Sequence, residues 1–258
     1  MDVRISSATH MGNRSYQEDR IVIRRVDAPQ FGIVLAVADG HGGDQTSSFV
    51  AQQLSEGLFD KMLKENTVFN VALMKTYQIL DSLTLDLSKK NNVHSESGST
   101  LSTVYVPDGQ NRLHIGIIGD SPVILAKRSG KFSISPEHNA RSNRQERMDA
   151  ESRGGLYKDG YIYSQFSEMG LQMTRDIGCH AMGGVLKRYP DVLDWSIEQG
   201  DVVIVGSDGL LDPSHGTNLE QAERLVKMVL EGADAQALID DAIERRTEDN
   251  TSAIVYRH

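Results

Sequence analysis

The stretch FGIVLAVADGHGG, residues 31–43, carries the clearest structural signal in the chain. Its first eight residues form a continuous apolar run, and turn-forming residues bound the run on both sides. Such a run is typical of a short strand that is buried on both faces. Glycines from Gly40 onward then break the chain. The strand predicted at residues 31–38 therefore delivers Asp39 to the edge of a sheet.

Outward from this strand, the spacing of apolar residues predicts the other elements. Apolar residues every three or four positions predict helices, and short apolar runs between turn residues predict strands. Helices are predicted from a cap at Asp44 or Thr46 through Met62, and over residues 69–87, 144–153, 219–229 and 238–243. Strands are predicted over residues 99–106, 112–118, 123–127, 201–206 and 251–256.

Two helices, a group of strands and two more helices favour an α+β fold in which helices cover the sheets on both outer faces. Periodicity leaves the topology open. Residues 156–189 combine several glycines with mixed polarity, and we expect an irregular, mobile, flap-like surface segment there. The 258 residues and their 39% hydrophobic content suffice for one core, so we expect a single domain over residues 1–258.

Charge and cysteine content exclude several functional classes. The formal net charge of −9 gives no electrostatic footprint for nucleic acid or an anionic membrane. The single cysteine, Cys179, excludes an internal disulfide and fits a reducing compartment. The first residues contain no apolar run that would serve as a signal peptide, and the longest apolar run is too short to span a bilayer. We expect a cytoplasmic protein with no nucleic-acid or membrane partner, and we take it to be a monomer.

Four aspartates stand at the ends of apolar strands: Asp39, Asp120, Asp208 and Asp249. Strand ends meet at a sheet edge, so these carboxylates can converge, and buried carboxylates tolerate one another only with a cation or a proton between them. The alternative is that each aspartate caps a turn or a helix. Carboxylate oxygens favour Mg²⁺ or Mn²⁺. Zinc spacings, phosphate-binding glycine loops and a serine-hydrolase elbow are absent from the sequence.

Seven short motifs follow one another in an order that resembles the type-2C family of Mg²⁺/Mn²⁺-dependent protein serine/threonine phosphatases. The resemblance extends over essentially the whole chain. Each motif by itself is weak evidence, and the ordered set is specific. The motifs are GNRSYQED at 12–19, ADGHGG at 38–43, SGSTLS at 97–102, IGDS at 118–121, TRDIG at 174–178, SDGLLD at 207–212 and EDNTSAIV at 248–255.

The resemblance implies a four-layer sandwich, with two central antiparallel sheets flanked by pairs of helices, that hydrolyses phosphoserine and phosphothreonine in proteins with a metal-activated water. It implies two Mg²⁺ or Mn²⁺ ions and, more weakly bound, a third. The implied metal-site residues are Asp39 as a bridge, the Gly40 carbonyl, Asp208 and Asp249, Glu18 and Asp19 through metal-bound waters, and Asp120 with Asp208 and Asp212 for the third ion. The implied catalytic residues are Arg14 for substrate phosphate, His41 for protonation of the leaving oxygen and Asn250 for orientation of a metal-bound water.

Several of these residues have a simpler interpretation. Arg14 would only pair with Glu18, His41 would be a turn residue, Asn250 would satisfy backbone, and Asp212 would start a turn. Departures from the family pattern occur at Pro122, Glu137, Asp149 and residues 179–192, which puts substrate choice and regulation in question. The alternative functions are a catalytically dead family member that acts as a binding module, and a metal-dependent hydrolase of small phosphate esters.

Overall fold

The computed structural model describes residues 4–27, 30–66, 68–91, 93–211 and 216–258. Strands and helices are numbered here in chain order. The strands are β1 (Arg4–His10), β2 (Arg20–Val26), β3 (Gly32–Ala38), β4 (Gly40–His41), β5 (Gly98–Ser99), β6 (Leu101–Pro107), β7 (Arg112–Ile118), β8 (Val123–Ala126), β9 (Phe132–Ile134), β10 (Leu156–Lys158), β11 (Tyr161–Ser164), β12 (Ser167–Leu171), β13 (Ile177–Gly178), β14 (Asp191–Ser196), β15 (Val202–Gly206) and β16 (Thr251–Arg257). The helices are α1 (Gln45–Ser55), α2 (Leu58–Glu65), α3 (Phe69–Ser88), α4 (Val93–Glu96), α5 (Arg144–Ser152), α6 (Asn218–Leu230) and α7 (Ala235–Glu244), with short 3-10 helices at His180–Val185 and Asp208–Leu211.

In the described part of the chain, two five-stranded antiparallel sheets lie at the centre. One has the strand order β1-β16-β15-β8-β9 and the other the order β14-β7-β6-β3-β2. Side chains of β3 alternate between two cores: Leu35 and Val37 pack between the sheets, whereas Val34 and Ala36 face a helical layer. This placement explains the unbroken apolar run, because both faces of the strand are buried.

Helices cover the outer face of each sheet. Helices α1, α2 and α3 share one apolar core with β3 and β6, in which Leu54, Met62 and Leu80 are almost fully buried. Helices α6 and α7 share another with β15 and β16, through residues such as Leu225 and Leu238. The α+β prediction and the four-layer arrangement of helices, sheet, sheet and helices are thus confirmed. None of the helices within the described ranges has the length and apolar character that crossing a bilayer requires.

Two details differ from the prediction. The helix expected to run through Met62 is broken at Gly57, which adopts a left-handed conformation with φ of 93° and separates α1 from α2. The segment 156–189 is also more regular than predicted, because β10, β11 and β12 form an antiparallel sheet there. This sheet and its neighbours enclose a small apolar core of their own, to which Ile162, Cys179 and Met182 contribute. Segments that bury so few side chains show no clear period in sequence.

Candidate metal centre

The aspartates predicted at strand ends converge at one end of the two central sheets. Asp39 follows β3 and Asp19 precedes β2, and continuing the β2–β3 register by one step places these two residues opposite each other. Asp208 follows β15 in the other sheet, and the hydroxyl of Ser207 beside it donates a 2.8 Å hydrogen bond to Asp19. The charges of Asp19 and Asp208 both act on the carboxyl of Asp39. The sandwich therefore brings carboxylates from both sheets into one cluster.

Burial and mutual repulsion dominate the electrostatics of this cluster. Burial raises the pKa of Asp39 well above its usual value, and the neighbouring charges of Asp19 and Asp208 raise it further. The pKa of Asp208 is raised in the same way by burial and then by Asp120 and Asp249. Burial also raises the pKa of Asp19 to about 6. Carboxylates this close repel one another when they ionise, and a bound cation would remove that repulsion.

Two carboxylate oxygens test whether the cluster fits a divalent cation. In Asp19, Oδ2 accepts the bond from Ser207, whereas Oδ1 is buried with no hydrogen-bond partner among the described residues. In Asp120, Oδ2 accepts a 2.7 Å bond from Asn139, and Oδ1 is again buried without a described partner. Buried unsatisfied acceptors are costly, and hard oxygen donors suit Mg²⁺ or Mn²⁺. The residues present therefore fit the predicted ions.

Glu18 and Asn250 hold the loops around the cluster. The Glu18 carboxylate accepts a 2.7 Å hydrogen bond from the Gly43 amide, which ties it to the DGHGG loop. The Asn250 side chain accepts from the Glu18 amide and donates to the carbonyls of Met11 and Tyr16. These contacts support the simpler interpretation of Asn250, in which its side chain satisfies backbone. Its role with a metal-bound water stays a prediction.

Arg14 and Asp249 form an ion pair of 2.7 Å at the mouth of the cluster, where both side chains are about half exposed. The sequence alternative paired Arg14 with Glu18, and the structure replaces that partner with Asp249. Gly40, which follows Asp39 directly, is buried in β4 opposite Ser99. Asp212 lies outside the described residues. Of the three residues predicted to hold the third ion, the structure therefore describes Asp120 and Asp208.

The side chain of His41 contacts Asp176, an aspartate that the sequence did not single out. Strands β4 and β13 both pair with β5, which brings the DGHGG loop beside TRDIG. There, Nε2 of His41 lies 3.1 Å from Oδ2 of the fully buried Asp176. A Cβ atom at Gly98 would collide with both side chains, which explains the glycine of SGSTLS. The signal in the sequence was the acidic residue inside TRDIG, but a contact across 135 residues has no local signature.

One pair of departures from the family pattern forms a contact. Asp149, where arginine was expected, lies in α5 and forms a 2.6 Å ion pair with Lys187 of the divergent stretch 179–192. The ammonium of Lys187 lowers the pKa of the Asp149 carboxyl. This ion pair therefore joins α5 to the divergent stretch.

Comparison with known proteins identifies one family over most of the chain. The family model described as Protein phosphatase 2C matches residues 6–251. A protein of Oryza sativa subsp. japonica named Probable protein phosphatase 2C 59 is 28% identical over 97% of the chain, which covers 74% of that relative. Probable protein phosphatase 2C 76 of Arabidopsis thaliana is 30% identical over 96% of the chain, which spans only 57% of that relative's length.

A solved structure agrees with the fold. The serine-threonine phosphatase 2C of Toxoplasma gondii superimposes with a TM-score of 0.77, at 20% identity, over 98% of this chain and 94% of that one. The TM-score shows a shared fold, and an identity of 20% shows no more than that. The sandwich and the positions of its layers are therefore those of the family.

Proposed function

Since the chain belongs to the protein phosphatase 2C family, a family of protein phosphatases, we propose that it hydrolyses phosphoserine and phosphothreonine in proteins and depends on two Mg²⁺ or Mn²⁺ ions. The observation that carries this proposal is the convergence of Asp19, which is buried, with Asp39 and Asp208, which are partly buried, in one cluster. A catalytically dead binding module would have no use for carboxylates held against their mutual repulsion. The carboxylate cluster therefore favours an enzyme over a binding module.

The chain supplies the ligands and the surrounding groups. Asp39, Asp208 and Asp249 would hold the two ions, with the Gly40 carbonyl beside them, while Asp19 and Glu18 would hold water around them. When bound, the ions neutralise the carboxylates and make water acidic enough to act as a nucleophile near neutral pH. A third, weaker ion would lie at Asp120 and Asp208.

Two side chains act on the substrate itself. The planar guanidinium of Arg14 is half exposed at the mouth, where it would bind two phosphate oxygens. His41 would donate a proton to the serine or threonine oxygen as it leaves. Asp176 accepts from Nε2 of the His41 ring, so it fixes the direction in which the imidazole faces.

A cavity next to the cluster offers room for the phosphorylated residue. Its volume is about 420 Å³, and Asp120 and Asp208 form part of its lining. Asn139, Arg141 and Thr217 also line it. Polar groups of this kind orient a substrate rather than bury an apolar one. The flap-like segment 156–189 borders this cavity through its own Gln172.

Phosphate release from phosphoserine, phosphothreonine and phosphotyrosine peptides tests the proposal. We expect turnover of the first two with Mn²⁺ or Mg²⁺, none after exhaustive chelation, and recovery when metal returns. Asp39→Asn should lose most of this turnover. Asp60→Asn, which alters a buried aspartate paired with Arg24 far from the cluster, should keep it.

Other results would select a different function. Turnover that survives chelation would exclude the metal mechanism, and no turnover with any metal would indicate the binding module. Faster hydrolysis of nucleotides or small phosphate esters than of phosphopeptides would favour the small-ester alternative.

We further propose that the chain is one catalytic domain over residues 1–258 and acts in the cytoplasm, where its single cysteine would stay reduced. The monomeric state and the absence of nucleic-acid and membrane partners stay predictions from composition.

A further inference from the structure

We propose that His41, Asp176 and Cys179 form a second metal site, separate from the carboxylate cluster, which binds a thiophilic divalent cation such as Zn²⁺. The three side chains offer one nitrogen, one oxygen and one sulfur donor. These are the ligand types that zinc takes in proteins, and a site with three protein ligands leaves one position for water.

The distances between the donors match such a site. One potential donor atom from each of the three residues lies within 4.8 Å of the other two. Nε2 of His41 and Oδ2 of Asp176 are 3.1 Å apart. Tetrahedral zinc with bonds of about 2.0–2.3 Å separates its ligands by roughly 3.3–3.7 Å. Small side-chain adjustments would therefore complete the coordination.

The surroundings orient the donors toward one point. Arg188 binds Oδ1 of Asp176, which leaves Oδ2 facing His41. Outer hydrogen bonds of this kind fix the direction of a metal ligand. Strands β4 and β13, which carry His41 and precede Cys179, are held to the same strand β5. The donors thus stand on paired backbone rather than on a free loop.

Cys179 itself has an unusual backbone. It adopts the left-handed conformation with φ of 44° and ψ of 46°, which is unfavourable for a side chain other than glycine or asparagine. Its side chain is fully buried beside Asp176. Strained residues held by the surrounding fold are frequent at functional sites. Nδ1 of His41 is likewise buried without a hydrogen-bond partner among the described residues.

Ligand softness separates this site from the carboxylate cluster. Thiolate sulfur favours Zn²⁺ and Co²⁺, whereas carboxylate and water oxygens suit Mg²⁺ and Mn²⁺. Burial raises the pKa of the Cys179 thiol, so the free thiol is protonated and a cation must displace that proton. If His41 acts as proposed above, an ion at this site holds its imidazole and opposes phosphopeptide turnover.

Cobalt spectroscopy reports the site directly, without relying on activity. The wild-type protein, with its carboxylate cluster saturated by excess Mg²⁺, is titrated with Co²⁺ and then with Zn²⁺. We expect a thiolate-to-cobalt charge-transfer band in the near ultraviolet that Zn²⁺ abolishes. The band should be absent in Cys179→Ser and Cys179→Ala, and Zn²⁺ affinity should fall by at least about tenfold. Asp176→Asn should weaken binding while keeping the band.

A matched control uses another histidine–aspartate pair. His114 and Asp194 are 2.6 Å apart with no thiol beside them, so Asp194→Asn should leave the band and the Zn²⁺ affinity unchanged. Thermal unfolding establishes that each variant is folded. A wild-type cobalt complex without a thiolate band overturns the proposal whatever the variants do. Equal Zn²⁺ affinity in the wild type and in a folded Cys179 variant also overturns it.

Discussion

The guanidinium of Arg14 lies 2.7 Å from the carboxylate of Asp249, although 235 residues separate them in the chain. One residue is the proposed phosphate ligand and the other a proposed metal ligand. A cation bound by Asp249 would neutralise the charge that now holds Arg14, and a phosphate dianion could then take its place. The ion pair therefore keeps the guanidinium at the mouth of the site before substrate arrives.

Arg14→Ala should raise the KM for a phosphopeptide by about tenfold to a hundredfold, with a smaller effect on kcat. A hydrogen bond to a charged group contributes roughly 1.5–3 kcal/mol, and this one would be present in both ground and transition states. Arg25→Ala is the control, because Arg25 forms a similarly exposed pair with Asp108 away from the cluster. Steady-state kinetics that show equal KM values for wild type and Arg14→Ala would limit Arg14 to pairing with Asp249.

Asp19→Asn should stabilise the metal-free protein, and more at pH 7.5 than at pH 5. The pKa of Asp19 is about 6 in the folded state, above its value of about 3.9 in the unfolded chain. The unfolded chain therefore releases its proton first, and stability falls as the pH rises from about 4 to about 6. At about 1.4 kcal/mol per pKa unit, the asparagine removes a cost of up to roughly 3 kcal/mol. Thermal unfolding in chelator measures the difference.

A carboxylate whose pKa is shifted in the opposite direction serves as the control for this pH dependence. Burial alone would raise the pKa of Asp201, but hydrogen bonds, first among them that of Lys127, lower it overall. Asp201→Asn should therefore destabilise the protein, and more at pH 7.5 than at low pH. In excess Mn²⁺ the wild type should instead be more stable than Asp19→Asn, because the cation binds the wild type more tightly. A stability gain for Asp19→Asn that is independent of pH contradicts the electrostatic explanation.

His41→Gln should slow phosphopeptide hydrolysis by about 10²–10⁴-fold and slow aryl phosphate hydrolysis much less. A serine alkoxide needs a proton to leave, whereas a nitrophenolate does not. Comparing kcat for the two substrates measures this difference. Equal losses on both would place His41 in the positioning of metal or water.

The strands predicted from the sequence are those in the interior of the sheets. Strands β3, β6, β7, β8, β15 and β16 are all central, and their apolar runs reflect burial on both faces. The four long-sheet strands left unpredicted are the edge strands β1, β2, β9 and β14. An edge strand has one partner and more exposed side chains, as in β1, where no residue is fully buried. Its sequence therefore lacks the signal that identifies a central strand.

The residues of the site also divide into those that the adjacent sequence identifies and those that only contacts between distant segments identify. Asp39 and Asp208 could be predicted because Asp39 directly follows a buried strand and Asp208 lies two residues beyond the end of another. The bond from Ser207 to Asp19 and the contact of His41 with Asp176 could not, because each depends on how separate segments pack. The backbone partners of the Asn250 amide could not be predicted either, because they depend on the positions of Met11 and Tyr16.

Asp120→Ala should leave two tightly bound cations and raise the metal concentration needed for full phosphopeptide turnover. Asp120 is buried beside the cluster, burial raises its pKa, and its Oδ1 has no partner in the described residues. A position with fewer facing carboxylates attracts a cation less strongly than the bridged pair. Calorimetric metal titration alongside activity measures both quantities.

The bond from Asn139 to Oδ2 of Asp120 extends this prediction to a residue that touches no ion. Asn139→Ala frees the carboxylate to rotate, so the metal requirement should shift in the same direction as in Asp120→Ala, but less. Asn70→Ala is the matched control, because Asn70 donates a comparable 3.1 Å bond to Asp194 away from the cluster. If Asp120→Ala binds and turns over like the wild type at every metal concentration, Asp120 has no part in catalysis. If Asp120→Ala shifts the requirement and Asn139→Ala does not, the carboxylate is held by its own burial rather than by the amide.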